Sequence, residues 1–208
     1  STILGQLISV GAIALIIVFQ PELRRFLQVI GMRQKHFNFI TRIFSTGDDT
    51  VQTNVVPIVT ACREMSETKT GALIVIGQQS DLRLIAEGGI ALDAKVSTSL
   101  LKNIFFKNAP LHDGAVLIEG DRIVAAKCIL PVTQSDVPKS YGTRHRAAIG
   151  MSEISDAIII VVSEETGGIS IAQGGELRRN IDPVRLQQTL QRYLTINTRK
   201  RSKKEVAE

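Results

Sequence analysis

Residues 115–129 read AVLIEGDRIVAAKCI. Two apolar runs, Ala115–Ile118 and Ile123–Ile129, flank the polar tetrapeptide Glu119-Gly120-Asp121-Arg122. Short runs rich in Val and Ile on either side of a Gly-Asp turn predict a β-hairpin. A second hairpin is predicted further on. Ala157–Val162 (AIIIVV) and Ile169–Ala172 face each other across Glu164-Glu165-Thr166-Gly167-Gly168. Working outward, Gly71–Ile76 (GALIVI) predicts a buried strand and Ile90–Val96 another. Helical signals lie between them. Val51, Val55, Ile58, Cys62 and Met65 recur at helical spacing, with Pro57 predicting a kink or a restart. Ser97 reads as the N-cap of a helix over Thr98–Phe105, and another helix is predicted from near Arg144. Asp182-Pro183 opens a last helix through Leu194. Strands and helices interleave, but hairpins are frequent. The fold class is therefore α/β of the mixed α+β kind, a central mixed β-sheet flanked by helices.

Composition narrows the function. The chain has 208 residues, 44% hydrophobic and 22% charged, which suits a globular protein with a sizeable core. Two cysteines without paired spacing, Cys62 and Cys128, exclude a disulfide framework or a zinc site. Aromatics make up 4% and Trp is absent, which argues against stacking platforms for nucleic acid. The net charge of +5 permits an anionic partner without choosing one.

The N-terminal stretch Ile3–Phe19 (ILGQLISVGAIALIIVF) carries no charge. As a helix it would reach about 26 Å, a little short of a hydrocarbon core. A signal peptide would want a basic region ahead of the apolar run and small residues at a cleavage site, and neither is present. A transmembrane helix over 1–20 is expected. Arg24, Arg25, Arg33 and Lys35 follow it, which places the remainder on the cytoplasmic side. Residues 21–47 read as a basic, apolar linker helix, and Gly47-Asp48-Asp49 marks the start of the next domain. The first residue is Ser, so further spans are expected ahead of it. The basic run Arg199–Lys204 predicts a disordered tail over 198–208.

Two clusters can carry chemistry. In Leu111-His112-Asp113-Gly114-Ala115, a His and an Asp stand side by side just before a strand. They can hold a divalent cation or share acid–base work, with Gly114 letting a ligand approach the backbone. An Asx-turn that starts the strand accounts equally for the pattern. In Gly142-Thr143-Arg144-His145-Arg146, Arg, His and Arg occupy the first turn of a helix, where the macrodipole prefers acids. A bound polyanion would compensate. A solvated basic turn is the plainer alternative. Glu164 and Glu165, two acids in a hairpin turn, are a weaker feature. Walker and dinucleotide-binding glycine motifs are absent.

Together these strings resemble the diadenylate cyclase (DAC) family. Its DGA motif corresponds to Asp113-Gly114-Ala115 and its RHR motif to Arg144-His145-Arg146. LHDGAV, GTRHRAA and SEETG resemble the membrane-anchored, CdaA-type members. The resemblance covers a catalytic domain over 48–197, and the apolar helix matches the last of that type's three spans. It implies condensation of two ATP into cyclic di-AMP and two pyrophosphates at the cell membrane, by a homodimer. It implies a divalent metal (Mn2+, Mg2+ or Co2+) near His112, Asp113 and Glu165. Asp113 would activate the ribose 3′-OH, with Gly114 beside it. Gly142, Thr143, Arg144 and His145 would hold phosphates, and Arg146 would support their loop. Ala115 would touch the nucleotide, Leu130 would pack on adenine, and Ser163 and Glu165 would approach phosphate or metal. A regulatory membrane protein and a phosphoglucosamine mutase are implied partners. Two other classes fit some of the residues. A nucleotide sensor would need the basic turn but not Asp113, and a nucleic-acid module would use RHR and the tail.

Overall fold

The computed structural model describes residues 54–205. The chain divides between Asp49 and Thr50 into two units, and the described residues all belong to the second. The expected transmembrane helix and linker helix lie outside the described residues. Among the described residues, no helix is long and apolar enough to cross a membrane.

The elements run α1 (Val55–Glu67), β1 (Ala72–Ile76), α2 (Arg83–Glu87), β2 (Ile90–Lys95), α3 (Thr98–Ile104), β3 (Ala115–Glu119), β4 (Arg122–Cys128), α4 (Thr143–Ile154), β5 (Ile158–Val162), β6 (Ile169–Gln173), β7 (Glu176–Arg178) and α5 (Pro183–Glu205). Both predicted hairpins are present, as β3–β4 and β5–β6. The strands form one sheet in the order β2-β4-β3-β1-β5-β6-β7. β1 pairs with β3 in parallel, with Ile74 opposite Val116, and every other pairing is antiparallel. The sheet is therefore mixed and central.

Strand β1 shows why helices cover both faces. All five of its residues are buried. Ala72, Ile74 and Ile76 join one core with Val116, Ile118, Ile160, Ile58 and Met65 of α1, Leu101 of α3 and Leu186 and Leu190 of α5. Leu73 and Val75 join a second core with Leu117, Ile159 and Val161, and with Ala148 and Met151 of α4. Alternate residues of a strand point to opposite faces, so a continuous apolar run needs cover on both sides. Cys62 and Cys128 are packing residues. Burial pushes the Cys62 thiol up to about 12 and the Cys128 thiol up to about 11, so both stay protonated.

Three local expectations change. Helix α1 starts at Val55, with the Asn54 side chain accepting from Val56 N at 3.2 Å. Pro57 thus falls in the first turn, where its missing N–H costs no helical bond, and no restart is needed. The helix α2 and the three-residue strand β7 add to the predicted elements. Helix α5 opens at Pro183, with Arg185 N donating to Asp182 Oδ1 at 2.9 Å, and runs on to Glu205. The run Arg199–Lys204 falls within the bounds of this helix. Lys and Arg are good helix formers and are favoured at a helix C-terminus.

Candidate active site

One end of the sheet collects the chemically interesting residues. In the parallel β1–β3 pair Ile74 lies opposite Val116, so counting back sets Ala72 level with Gly114. Ala72 also pairs with Val162, and Ala115 with Cys128. The segments entering β1 and β3 and those leaving β4 and β5 therefore share one edge. Those segments carry Gly71, His112-Asp113-Gly114, Leu130 and Ser163-Glu164-Glu165.

Helix α4 meets this edge with its N-terminus. Gly142 is the N-cap, without a side-chain capping bond, and no acid lies in the first turn. A Cβ on Gly142 would meet nothing within 4 Å, so the space in front of the helix is open. The first-turn N–H groups and the helix dipole make this N-terminus a favourable place for an anion. The far side of α4 is pinned. Thr133 N donates to Arg146 O at 3.2 Å, and Thr133 Oγ1 donates to Glu153 Oε1 at 2.6 Å. A Cβ on Gly150 would lie 2.5 Å from Pro131 O, so this glycine lets α4 press onto the 131–133 segment. Leu130, just ahead of that segment, is buried against the core that contains Ala115 and Ala148.

The basic turn is already partly neutralised. Arg144 Nη1 donates to Glu164 Oε2 at 2.7 Å, and the arginine is the less exposed partner (21% against 63%). This pair ties α4 to the β5–β6 turn. Arg146 turns the other way, its Nε donating to Tyr141 O at 3.3 Å. His145 is buried, its ring 5.8 Å from that of Tyr141, and Arg179 stacks on Tyr141 at 5.1 Å. Burial lowers the His145 pKa below the ordinary imidazole value, and Arg179 lowers it further, against an opposing pull from Glu165. His145 is therefore neutral at pH 7 and can present an N–H as a hydrogen-bond donor.

The β5–β6 turn is held by side-chain hydrogen bonds. Ser163 Oγ accepts from Thr166 N at 3.2 Å, and Ser66 Oγ donates to Gly167 O at 2.6 Å. Gly114 has φ +136, and a Cβ there would lie 2.7 Å from the Lys127 carbonyl carbon. One close approach that requires glycine is thus to the chain's own strand β4.

A divalent metal fits this site in part. His112 Nδ1 lies 2.6 Å from Ala109 O; a carbonyl only accepts, so the ring donates there and Nε2 is the nitrogen left for a metal. Asp113 is an exposed carboxylate beside it. Among the described residues no three His, Cys, Asp or Glu gather to hold a metal. Glu165 thus does not complete a set of three with His112 and Asp113 within one chain, because it projects from the separate β5–β6 turn. Two protein donors plus phosphate oxygens and water are a usual donor set for a metal that accompanies a nucleotide.

Glu164 as partner of Arg144, the glycine at 71, and the Tyr141–Arg179 stack were not legible in the sequence. Each depends on segments far apart in the chain.

A mixed sheet with an aspartate at one end and an uncapped, basic helix N-terminus is suited to a protein that binds a phosphate-bearing ligand. Comparison with known proteins agrees. Residues 59–177 match the DAC family model, described as DisA bacterial checkpoint controller nucleotide-binding. The chain is 42% identical over 198 residues to the cyclic di-AMP synthase CdaA of Bacillus subtilis, covering 95% of this chain and 71% of that protein. It is 43% identical over 200 residues to a diadenylate cyclase of Listeria monocytogenes, covering 96% and 72%. Among solved structures, a double mutant of DacA from Staphylococcus aureus matches with a TM-score of 0.66 at 43% identity, covering 67% of this chain and 94% of that one. A protein from Bacillus cereus described as a hypothetical membrane spanning protein matches with a TM-score of 0.61 at 36% identity, covering 74% and 91%. The chain belongs to the DAC family and is an enzyme of the diadenylate cyclase class.

Proposed function

We propose that this chain makes cyclic di-AMP from two ATP with the aid of a divalent metal, across a face-to-face dimer. In each half-reaction a ribose 3′-oxygen bonds to the α-phosphorus of the facing ATP. The bond from that phosphorus to the bridging oxygen breaks, pyrophosphate leaves, and the 3′-OH proton is given up. The observation that carries this reading is the shared end of the sheet, where Asp113 leads into β3 and the Arg144–Glu164 pair ties the first turn of α4 to the exit of β5.

Asp113 lies beside the 3′-OH and accepts or orients its proton. Thr143, the first-turn N–H groups of α4 and the Arg144 fork hold phosphate oxygens, and neutral His145 adds one N–H donor. Leu130 gives the adenosine an apolar contact, and Ala115, fully buried, backs it from within the core. Arg146, bonded to Tyr141 O, keeps the loop before α4 closed. Glu165 and Ser163 border the phosphates from the β5–β6 turn. His112 and Asp113 would hold a divalent metal, which when bound would neutralise charge on the phosphate oxygens.

One chain supplies one Asp113 and one basic turn, whereas the product contains two identical links. Two copies facing each other meet that symmetry most simply. The contact must open to load ATP, so it is small and weak. The apolar run Ile3–Phe19 and the Bacillus cereus relative's description support a membrane anchor, with the catalytic unit on the cytoplasmic side. A regulatory membrane protein and a phosphoglucosamine mutase are the partners this reading would test first.

Mass analysis of products formed from ATP with Mn2+, Mg2+ or Co2+ tests the metal dependence, which fails if full turnover persists in chelator. Dilution tests the dimer. Specific activity should fall on dilution, and wild-type chains mixed with excess Asp113→Asn should accumulate the linear dinucleotide. Constant specific activity where sedimentation shows only monomers would exclude a facing dimer.

A further inference from the structure

Gly71 precedes β1 on the edge that carries the site. A Cβ built on it would lie 2.9 Å from Arg144 Nη1, 3.0 Å from Arg144 Cζ and 3.0 Å from Glu164 Oε2. The Arg144–Glu164 pair thus occupies the room that any larger residue at 71 would fill. The backbone there does not demand glycine, because Gly71 is absent from the positive-φ positions. The groups it would strike are the ends of two flexible side chains. An alanine at 71 would therefore be accommodated by moving the guanidinium, with the fold intact.

We propose that Gly71 is a positioning residue whose missing side chain sets where the Arg144 fork stands. The proposal rests on the reading that Arg144 holds phosphate. Glu164 fixes one side of the guanidinium, and Gly71 gives it a floor flush with the sheet edge. The remaining N–H groups are then free for a nucleotide. A fork displaced by about 1 Å loses the bidentate geometry that distinguishes it from a point charge.

The test is a double-mutant cycle of Gly71→Ala and Arg144→Ala in the full chain, read by kcat/KM for ATP and by the Arg144 Nε–Hε resonance without nucleotide. Gly71→Ala should shift that resonance and lower kcat/KM by about tenfold or more, as misplacement of a positioning group does. In the Arg144→Ala background the same change should cost less than about twofold, since no guanidinium remains to be displaced. An unmoved resonance in Gly71→Ala overturns the proposal. So does a loss of folding or activity that persists undiminished in the Arg144→Ala background, because that assigns the glycine a purely structural role. A shifted resonance with activity unaffected by Arg144→Ala keeps the positioning and refutes the phosphate-binding reading instead.

Discussion

Gly114 and Lys127 are locked backbone to backbone: a Cβ on Gly114 would lie 2.8 Å from Lys127 Cα. Both residues have positive φ, +136 and +56, at an irregular stretch of the β3–β4 ladder. Asp113 is the residue next to this contact. Gly114→Ala meets both an overlap with backbone and a disfavoured φ. It should destabilise the fold by about 2 kcal/mol or more, lowering the urea midpoint. An unchanged midpoint would mean the segment yields freely.

Asp113→Asn keeps size and polarity but loses the charge. Cyclic product formation should fall by at least about 100-fold, the low end for an acid–base group. ATP affinity, measured by calorimetry, should change far less. Near-normal turnover would remove Asp113 from the chemistry.

Arg144→Ala should weaken ATP binding as well as turnover, because the phosphate contact exists in ground and transition states alike. Arg144→Lys should rescue only in part, since an ammonium cannot reproduce the planar fork. The loss is not one of folding. The Arg144–Glu164 pair is largely exposed on its acidic side, and such pairs contribute about 0–1 kcal/mol. Equal ATP affinity in wild type and Arg144→Ala would favour a merely solvated turn.

His145 links pH to stability. Its pKa is lowered in the folded chain by burial and then by Arg179. The unfolded chain therefore binds a proton that the native state resists. The His145 contribution is complete above the ordinary imidazole pKa of about 6.5 and is lost as pH falls through that value toward the lower native pKa. Unfolding free energies measured at pH 7.5 and pH 5.5 should differ less in His145→Gln than in wild type. Arg179→Gln should raise the His145 pKa in an NMR titration, and an unmoved titration would place Arg179 too far away to matter.

Much of the fold could be read locally. The hairpins at 115–129 and 157–172 announced themselves because a strand's neighbour and its turn lie within a few residues. Ser97 and Asp182 marked helix starts because capping is a contact across three residues. The short elements were not legible for the matching reason. Helix α2 has no side-chain cap and no buried residue, and β7 is three residues long with only Leu177 half-buried. Such segments carry no period to detect, and their backbone is held by neighbours.

At the site the division is the same. The residue types in HDGA and RHR, and the sign conflict at the start of α4, were properties of the chain, since the dipole argument needs only helix and charge. Which acid meets Arg144 was not. Glu164 and Glu165 are equivalent in sequence, and only the exit of β5 beside β1 turns Glu164 to the arginine and leaves Glu165 acting on His145. The same pairing sets Gly71 beneath the guanidinium, and the β3–β4 register makes Gly114 a packing glycine. Sequence by itself determined which groups this protein can bring to ATP and which segments form its strands. Only the tertiary structure decided how those groups are held, because contacts between residues tens of positions apart arise from the order of strands in the sheet, which no local pattern encodes.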